Sequence, residues 1–205
     1  MFLAIFMLTT STLYLVSPLV GKCLKRYNRK FTNYSSDRQQ YIIKNIMKST
    51  ILALLCPYGA WVATNALTDK WENNAIRLGG AIYASTDALG FILIPNLPAT
   101  TLAHHTIVIL VFLSTLITNF QEETVMRGFV AYTFFSALTF AVNFYLGCRF
   151  LIDSNTHKQR LAFVAAVIYT FFTVMQLDVS NSYYCQVSTA TNCGFLHFNT
   201  VANNF

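Results

Sequence analysis

The sequence predicts an all-α, polytopic membrane protein with about six transmembrane helices. Composition is the first reason: 55% of the 205 residues are hydrophobic and 11% are charged, where soluble chains carry about 25% charge. Patterning is the second, because the apolar residues gather into runs of about 18 to 25, the length that spans a hydrocarbon core. The third is where the charge sits. The formal net charge is +6, and Lys22, Lys25, Arg26, Arg29, Lys30 and Arg38 fall in one short segment, with Lys44 and Lys48 just beyond it. A basic segment between apolar runs is the positive-inside signal and puts that loop in the cytosol, where it can also touch anionic lipid headgroups. No motif supports a nucleic-acid patch, and no room is left for a second soluble domain.

Residues 1–20 are expected to form the first span. Its start carries no basic leader, and Ser17-Pro-Leu-Val-Gly offers no small-x-small cleavage site, so it reads as an uncleaved span with a lumenal or exterior N-terminus. Residues 21–40 are the basic cytosolic loop. There Cys23 is an acylation site or an inert thiol, and the sequon Asn33-Tyr-Ser is silent on that side. Residues 41–181 are read as the transmembrane core and 182–205 as a polar tail. The core opens with a helix over about 41–67. Lys44 and Lys48 lie one turn apart on it and face one way, their stems along the helix and their ammonium groups reaching the interface. Cys56-Pro57 predicts a kink; Trp61 and Trp71 are expected as interfacial anchors.

The third span, about 75–94, contains Gly79-Gly80, which allows a close helix neighbour, then Tyr83 and Asp87 at i and i+4. The short uncharged connection from Pro95 to Thr100 closes a tight hairpin, so the fourth span, from Thr100, packs beside the third. An acidic loop over 119–124 follows. The apolar stretch 125–152 is either one tilted helix or a re-entrant piece and a span. Tyr132, Ser136, Thr139 and Asn143 recur on it at helical spacing, as interhelical hydrogen-bonding residues or as a cavity lining. The loop 153–160 is again basic. The sixth span, about 161–177, returns the tail to the lumenal side, where Cys185 and Cys193 could pair in an oxidising compartment.

The chemistry concentrates at His104-His105, in the first turns of the fourth span. An imidazole in hydrocarbon needs a partner or a water-filled cavity. Adjacent helical residues point about 100° apart, so one ring can face a cavity while the other bonds to a neighbouring helix. Neutral imidazole can take a proton from an attacking amine or hydroxyl, or act as the nucleophile, and Asp87 would fix its tautomer. Depth arithmetic puts Asp87 roughly 10 Å and the histidines roughly 5 Å from the ends of their helices, in the same half of the membrane. Adjacent spacing chelates metal poorly, so no metal is expected. A purely structural pair, bonded to backbone and threonine oxygens, is the other reading.

These features, in this order, resemble the TLC-domain family, the membrane superfamily that includes the ceramide synthases. Asp87 in one span, Leu97-Pro98 in the turn and His104-His105 opening the next carry the resemblance. Tyr41-Ile-Ile-Lys-Asn upstream, and Val142-Asn143-Phe-Tyr-Leu-Gly-Cys-Arg149 and Gln176-Leu-Asp-Val-Ser-Asn181 downstream, extend it over residues 38 to 181. The uncharged approach from Gly90 to Ala103 sets it closer to the small TLC-domain proteins than to the ceramide synthases themselves. The resemblance implies a bundle around a lipid-accessible cavity in the endoplasmic reticulum or a related endomembrane. In the ceramide synthase branch it implies acyl transfer from acyl-CoA to a sphingoid-base amine, with His104, His105 and Asp87 as the catalytic set.

The expected function is therefore lipid metabolism, with acyl-CoA as co-substrate and no bound cofactor. Tyr83, Tyr132, Ser136, Thr139 and Asn143 would line the lipid cavity. Lys44 or Lys48 would receive an anionic headgroup or the CoA phosphates. The partners are membrane lipids and, if the chain self-associates, a second copy in a homodimer, with no nucleic acid. The alternative is a non-enzymatic lipid-binding protein that regulates membrane composition or trafficking. A proton pathway is disfavoured, because no further acidic relay crosses the membrane.

Overall fold

A computed structural model describes residues 1–122, 124–137 and 140–174, apart from the side chains at 131, 132 and 134–137. Eight helices make up the described residues: α1 (Phe2–Tyr27), α2 (Arg29–Thr32), α3 (Ser36–Leu67), α4 (Asn73–Leu93), α5 (Ala99–Ile117), α6 (Met126–Ala137), α7 (Phe140–Cys148) and α8 (155–174). Of these, α1, α3 and α5 are long and apolar enough to cross a bilayer, as in a multi-pass membrane protein.

The segment expected as a loop over 21–40 is largely helical. Helix α1 runs on through Lys25 and Arg26 to Tyr27, because the end of an apolar run marks where hydrocarbon stops and not where the helix does. Lysine and arginine are good helix formers and complement the dipole in a last turn. Asn28 breaks the helix and starts the next: its Oδ1 accepts from the amides of Lys30 and Phe31, capping α2. Helix α3 then runs 32 residues, continuous through Pro57. It stops at Thr68, where Asp69 takes a left-handed φ of 57°. The amides of Asp69 and Lys70 close back on Ala66 O and Asn65 O at 3.1 and 2.8 Å, a Schellman ending in which aspartate takes glycine's usual place.

Helices α3 and α4 form the centre. Helix α3 packs against α1, α4, α6 and α7, and α4 against α1, α3 and α5. The run α3–α4–α5 is antiparallel: Tyr58 of α3 donates to Ala75 O at the start of α4 at 2.9 Å. The Arg77 guanidinium of α4 donates to Thr115 O and Thr118 O at the end of α5 at 3.0 and 3.1 Å, satisfying carbonyls that a helix end leaves open. At Gly80 an added Cβ would stand 3.3 Å from the Phe112 ring, the close helix approach expected of the Gly79-Gly80 pair.

The stretch 125–152 forms α6 and α7, with residues 138–139 between them outside the described residues. At the end of the bundle opposite the basic segment, Trp71 is buried against protein. Its ring stacks on Phe120 at 6.3 Å and lies 4.9 Å from the Arg127 guanidinium. Arg127 in turn donates to Phe120 O, Gln121 O and Asp69. Trp61 is exposed. Thr139, the residues 175–205 and with them Cys185 and Cys193 lie outside the described residues.

Candidate functional site

The helix packing brings four ionisable side chains into one row. Lys44 and Lys48 occupy successive turns of α3, roughly 12 and 18 Å from its start, inside a stretch that is buried from Ile42 to Ser49 except at Ile46. Lysine stems in an exposed helix would carry the ammonium groups to the interface, as the sequence suggested. Here both side chains turn inward and only 5% of each residue is exposed. Lys48 Nζ forms a salt bridge with Asp87 Oδ1 of α4. The same carboxylate oxygen lies 2.5 Å from His105 Nδ1 of α5. On the far side of the imidazole, His105 Nε2 is 3.3 Å from Lys44 Nζ.

The order Lys48–Asp87–His105–Lys44 assigns the protons. The nearness of Nδ1 to a carboxylate oxygen favours the tautomer with its proton on Nδ1, although the N–H direction there does not make a regular hydrogen bond, and Nε2 is left as an acceptor. The Lys44 ammonium then fills that acceptor. Asp87 Oδ2 is buried and has no hydrogen-bond partner among the described residues, so the carboxylate keeps an acceptor in reserve. Buried charges need partners because desolvation outweighs an unpaired charge's gain; this row supplies them from three helices at once.

Gly90 makes the row geometrically feasible. A Cβ there would lie 3.1 Å from His105 Nε2 and 3.4 Å from Lys44 Cε. His104 points the other way. It is exposed, with its ring 5.6 Å from that of His105, so the two rings divide between an inward and an outward position. Asp87, His104 and His105 each offer one ligand atom within 4.8 Å of the others, which is metal-site spacing. The carboxylate, however, is already neutralised by Lys48, and Lys44 covers Nε2, so ammonium groups occupy the positions a cation would take.

Beyond the row, away from the basic end, Leu52, Tyr83 and Val108 make a thin apolar layer. Past it lies a small chamber of about 30 Å³ walled by α3, α4, α5 and α6, with Leu55, Gly79, Val111, Phe112 and Val130 among its lining. Its polar atoms are already engaged: Tyr58 on Ala75 O, Thr115 on Phe112 O and Thr133 on Phe129 O. The chamber therefore presents hydrocarbon and, as closed here, has room for only a few atoms. Tyr83 belongs to both regions, lining the chamber while its ring stands 5.4 Å from Lys48 Nζ.

Of the cavity residues expected from the sequence, Tyr83 lines the chamber. Asn143 is half-buried on α7, which packs against α3, and does not line it. The side chains of Tyr132 and Ser136, and the whole of Thr139, lie outside the described residues. No known protein family, curated protein or solved structure matches this chain. Two features escaped sequence reasoning. The inward turn of the lysines had a signal in their depth, since a helix begun at Ser36 places Lys48 too far in for its stem to reach the surface. The role of Gly90 had none.

Proposed function

We propose that this chain is a TLC-like, six-span protein of an endoplasmic reticulum or related membrane that acts on lipid, with His105 as the proton-handling residue. The observation that carries the reading is the buried Lys48–Asp87–His105–Lys44 row set beside an apolar chamber. A polar reacting end would enter the row, and a hydrocarbon chain would part the helices at the apolar chamber to lie beside it. Asp87, beside Nδ1, favours the tautomer whose Nε2 can accept a proton. When the polar end of an acceptor lipid displaces Lys44 from Nε2, that nitrogen can take the proton of its amine or hydroxyl as the nitrogen or oxygen attacks the thioester carbonyl of acyl-CoA. The carbon–sulfur bond breaks, the thiolate receives the proton from His105, and an amide or ester and free CoA leave. The displaced Lys44 ammonium, with Lys48 behind it, stabilises the oxyanion. His104 faces outward as the second candidate for the acid/base or acyl-accepting role.

A second reading rests on one observation: Lys44 already covers Nε2, and His105 is only 2% exposed. A site closed in that way also suits a non-enzymatic lipid-binding protein that regulates membrane composition. The test uses protein in lipid nanodiscs with acyl-CoA and a panel of sphingoid bases, lysolipids and sterols, followed by mass spectrometry. Wild type should give an acylated product that is lost in folded His105→Ala, with His104→Ala tested alongside. A co-purifying lipid without product, released by the same substitutions, would move the conclusion to the binding protein. Product formation that survives His105→Ala would remove His105 from the chemistry.

A further inference from the structure

Four of the seven arginines of this protein are used in two different ways. Arg77 and Arg127 spend their guanidinium groups on main-chain carbonyls and on Asp69. Arg38 and Arg149, at the basic end, are held instead by an aromatic platform. Their guanidinium carbons stand 5.2 and 4.7 Å from the centroid of the same ring, Phe150. Arg38 also lies 5.7 Å from Tyr34, and Arg149 lies 5.9 Å from Tyr145.

That platform is itself fixed. Phe150 meets Tyr34 and Tyr41 edge-on at 5.9 and 6.2 Å, and its carbonyl accepts the Tyr34 hydroxyl at 2.8 Å. A contact with a ring face engages the charge of a guanidinium and leaves its fork of N–H donors unfilled. Among the described residues neither fork has a carboxylate or carbonyl to donate to. Arg149 Nε is moreover buried and without a hydrogen-bond partner there. The nearby Lys30 offers no contrast, since it is paired with Asp153.

Two cations oriented on one ring, with their donors free and one nitrogen already out of water, lack a polyoxygen anion. A carboxylate serves one fork; a phosphate has oxygens enough for both, in the bidentate geometry that arginine favours. We propose that Arg38 and Arg149, both over the Phe150 ring, form a receiving site for a phosphate ester. Its source is either the headgroup of a lipid in the adjacent leaflet or the phosphate of a soluble ligand such as coenzyme A. The site is separate from the buried row, with Arg38 about 9 Å nearer the start of α3 than Lys44, and it holds whether or not His105 does chemistry.

Native mass spectrometry of protein released from phosphatidylcholine nanodiscs doped with phosphatidic acid tests the first source, and titration with coenzyme A the second. Wild type should retain phosphatidic acid or bind coenzyme A. Arg38→Gln/Arg149→Gln should weaken that binding roughly tenfold or more, whereas Arg160→Gln should leave it unchanged. Arg38→Lys/Arg149→Lys, which keeps the charge and loses the fork, should fall between and guards against loss of folding. Retained phosphatidic acid that coenzyme A does not displace assigns the site to the leaflet; displacement by coenzyme A assigns it to a soluble phosphate. Failure of both probes to bind wild type, or an equal loss in Arg160→Gln, overturns the proposal.

Discussion

Asp87 is a single buried carboxylate whose Oδ1 serves both Lys48 and His105, so its removal should expose what the row costs. Asp87→Asn leaves a buried ammonium without its counter-charge, the change that destabilises proteins by about 3–5 kcal/mol. Lys48→Met in the same chain removes the orphaned charge and should recover most of the loss. The check is unfolding in mixed micelles of the wild type, the single variant and the double variant. A single variant as stable as wild type would mean that Lys48 and Asp87 are not an ion pair. The residue scale is also where sequence reasoning was strongest and weakest. Asp87 and His105 were legible as partners because their depths from the shared hairpin agree to about one turn. The lysines were placed in the wrong environment, because spacing reports which face a side chain shares and not whether that face is covered.

Among the helices, α7 is seated on α3 by the absence of a side chain. A Cβ at Gly147 would meet Ile46 Cγ1 at 2.8 Å, the Ile46 main-chain nitrogen at 3.2 Å and Ile42 O at 3.4 Å. Backbone cannot give way as a side chain can, so Gly147→Ala should force the helices apart and destabilise the protein by about 1–3 kcal/mol. Adding Ile46→Ala should return only part of this, because the main-chain contacts stay. Gly80→Ala is the control: its nearest neighbour is the Phe112 ring at 3.3 Å, which can tilt, so its cost should be smaller. Thermal denaturation in detergent ranks the three, and a Gly147→Ala protein no less stable than Gly80→Ala would refute this account of the packing. In the sequence, Gly147 stands as one glycine in a run of apolar residues, and nothing local says which helix will press on it. Gly79-Gly80 was legible because a pair of small residues is itself a packing signature.

For the molecule as a whole, the question is which helices cross. Composition selects α1, α3 and α5 and passes over α4, whose 21 residues include Arg77 and Asp87. The packing explains the omission. Arg77 is satisfied by carbonyls of α5 and Asp87 by Lys48 and His105, so the polar groups of α4 are paired within the bundle and need no water. A hydropathy window sees each residue without its partner and scores α4 as too polar. At about 1.5 Å per residue, 21 residues reach roughly 31 Å, enough for a core of about 30 Å. Lying antiparallel between α3 and α5, α4 must cross if they do. Three crossings then separate Cys23 from Glu122, placing them on opposite faces of the membrane, with Cys23 on the face of the basic segment. Labelling with a membrane-impermeant maleimide in sealed vesicles of known sidedness tests this, using a variant that keeps Cys23 alone and one whose single thiol comes from Glu122→Cys. Each should react from one side only, and from opposite sides. Both reacting from the same side would make the number of crossings between them even. Either α4 or one of its neighbours would then not span, and the buried row would lose the helix frame that holds it.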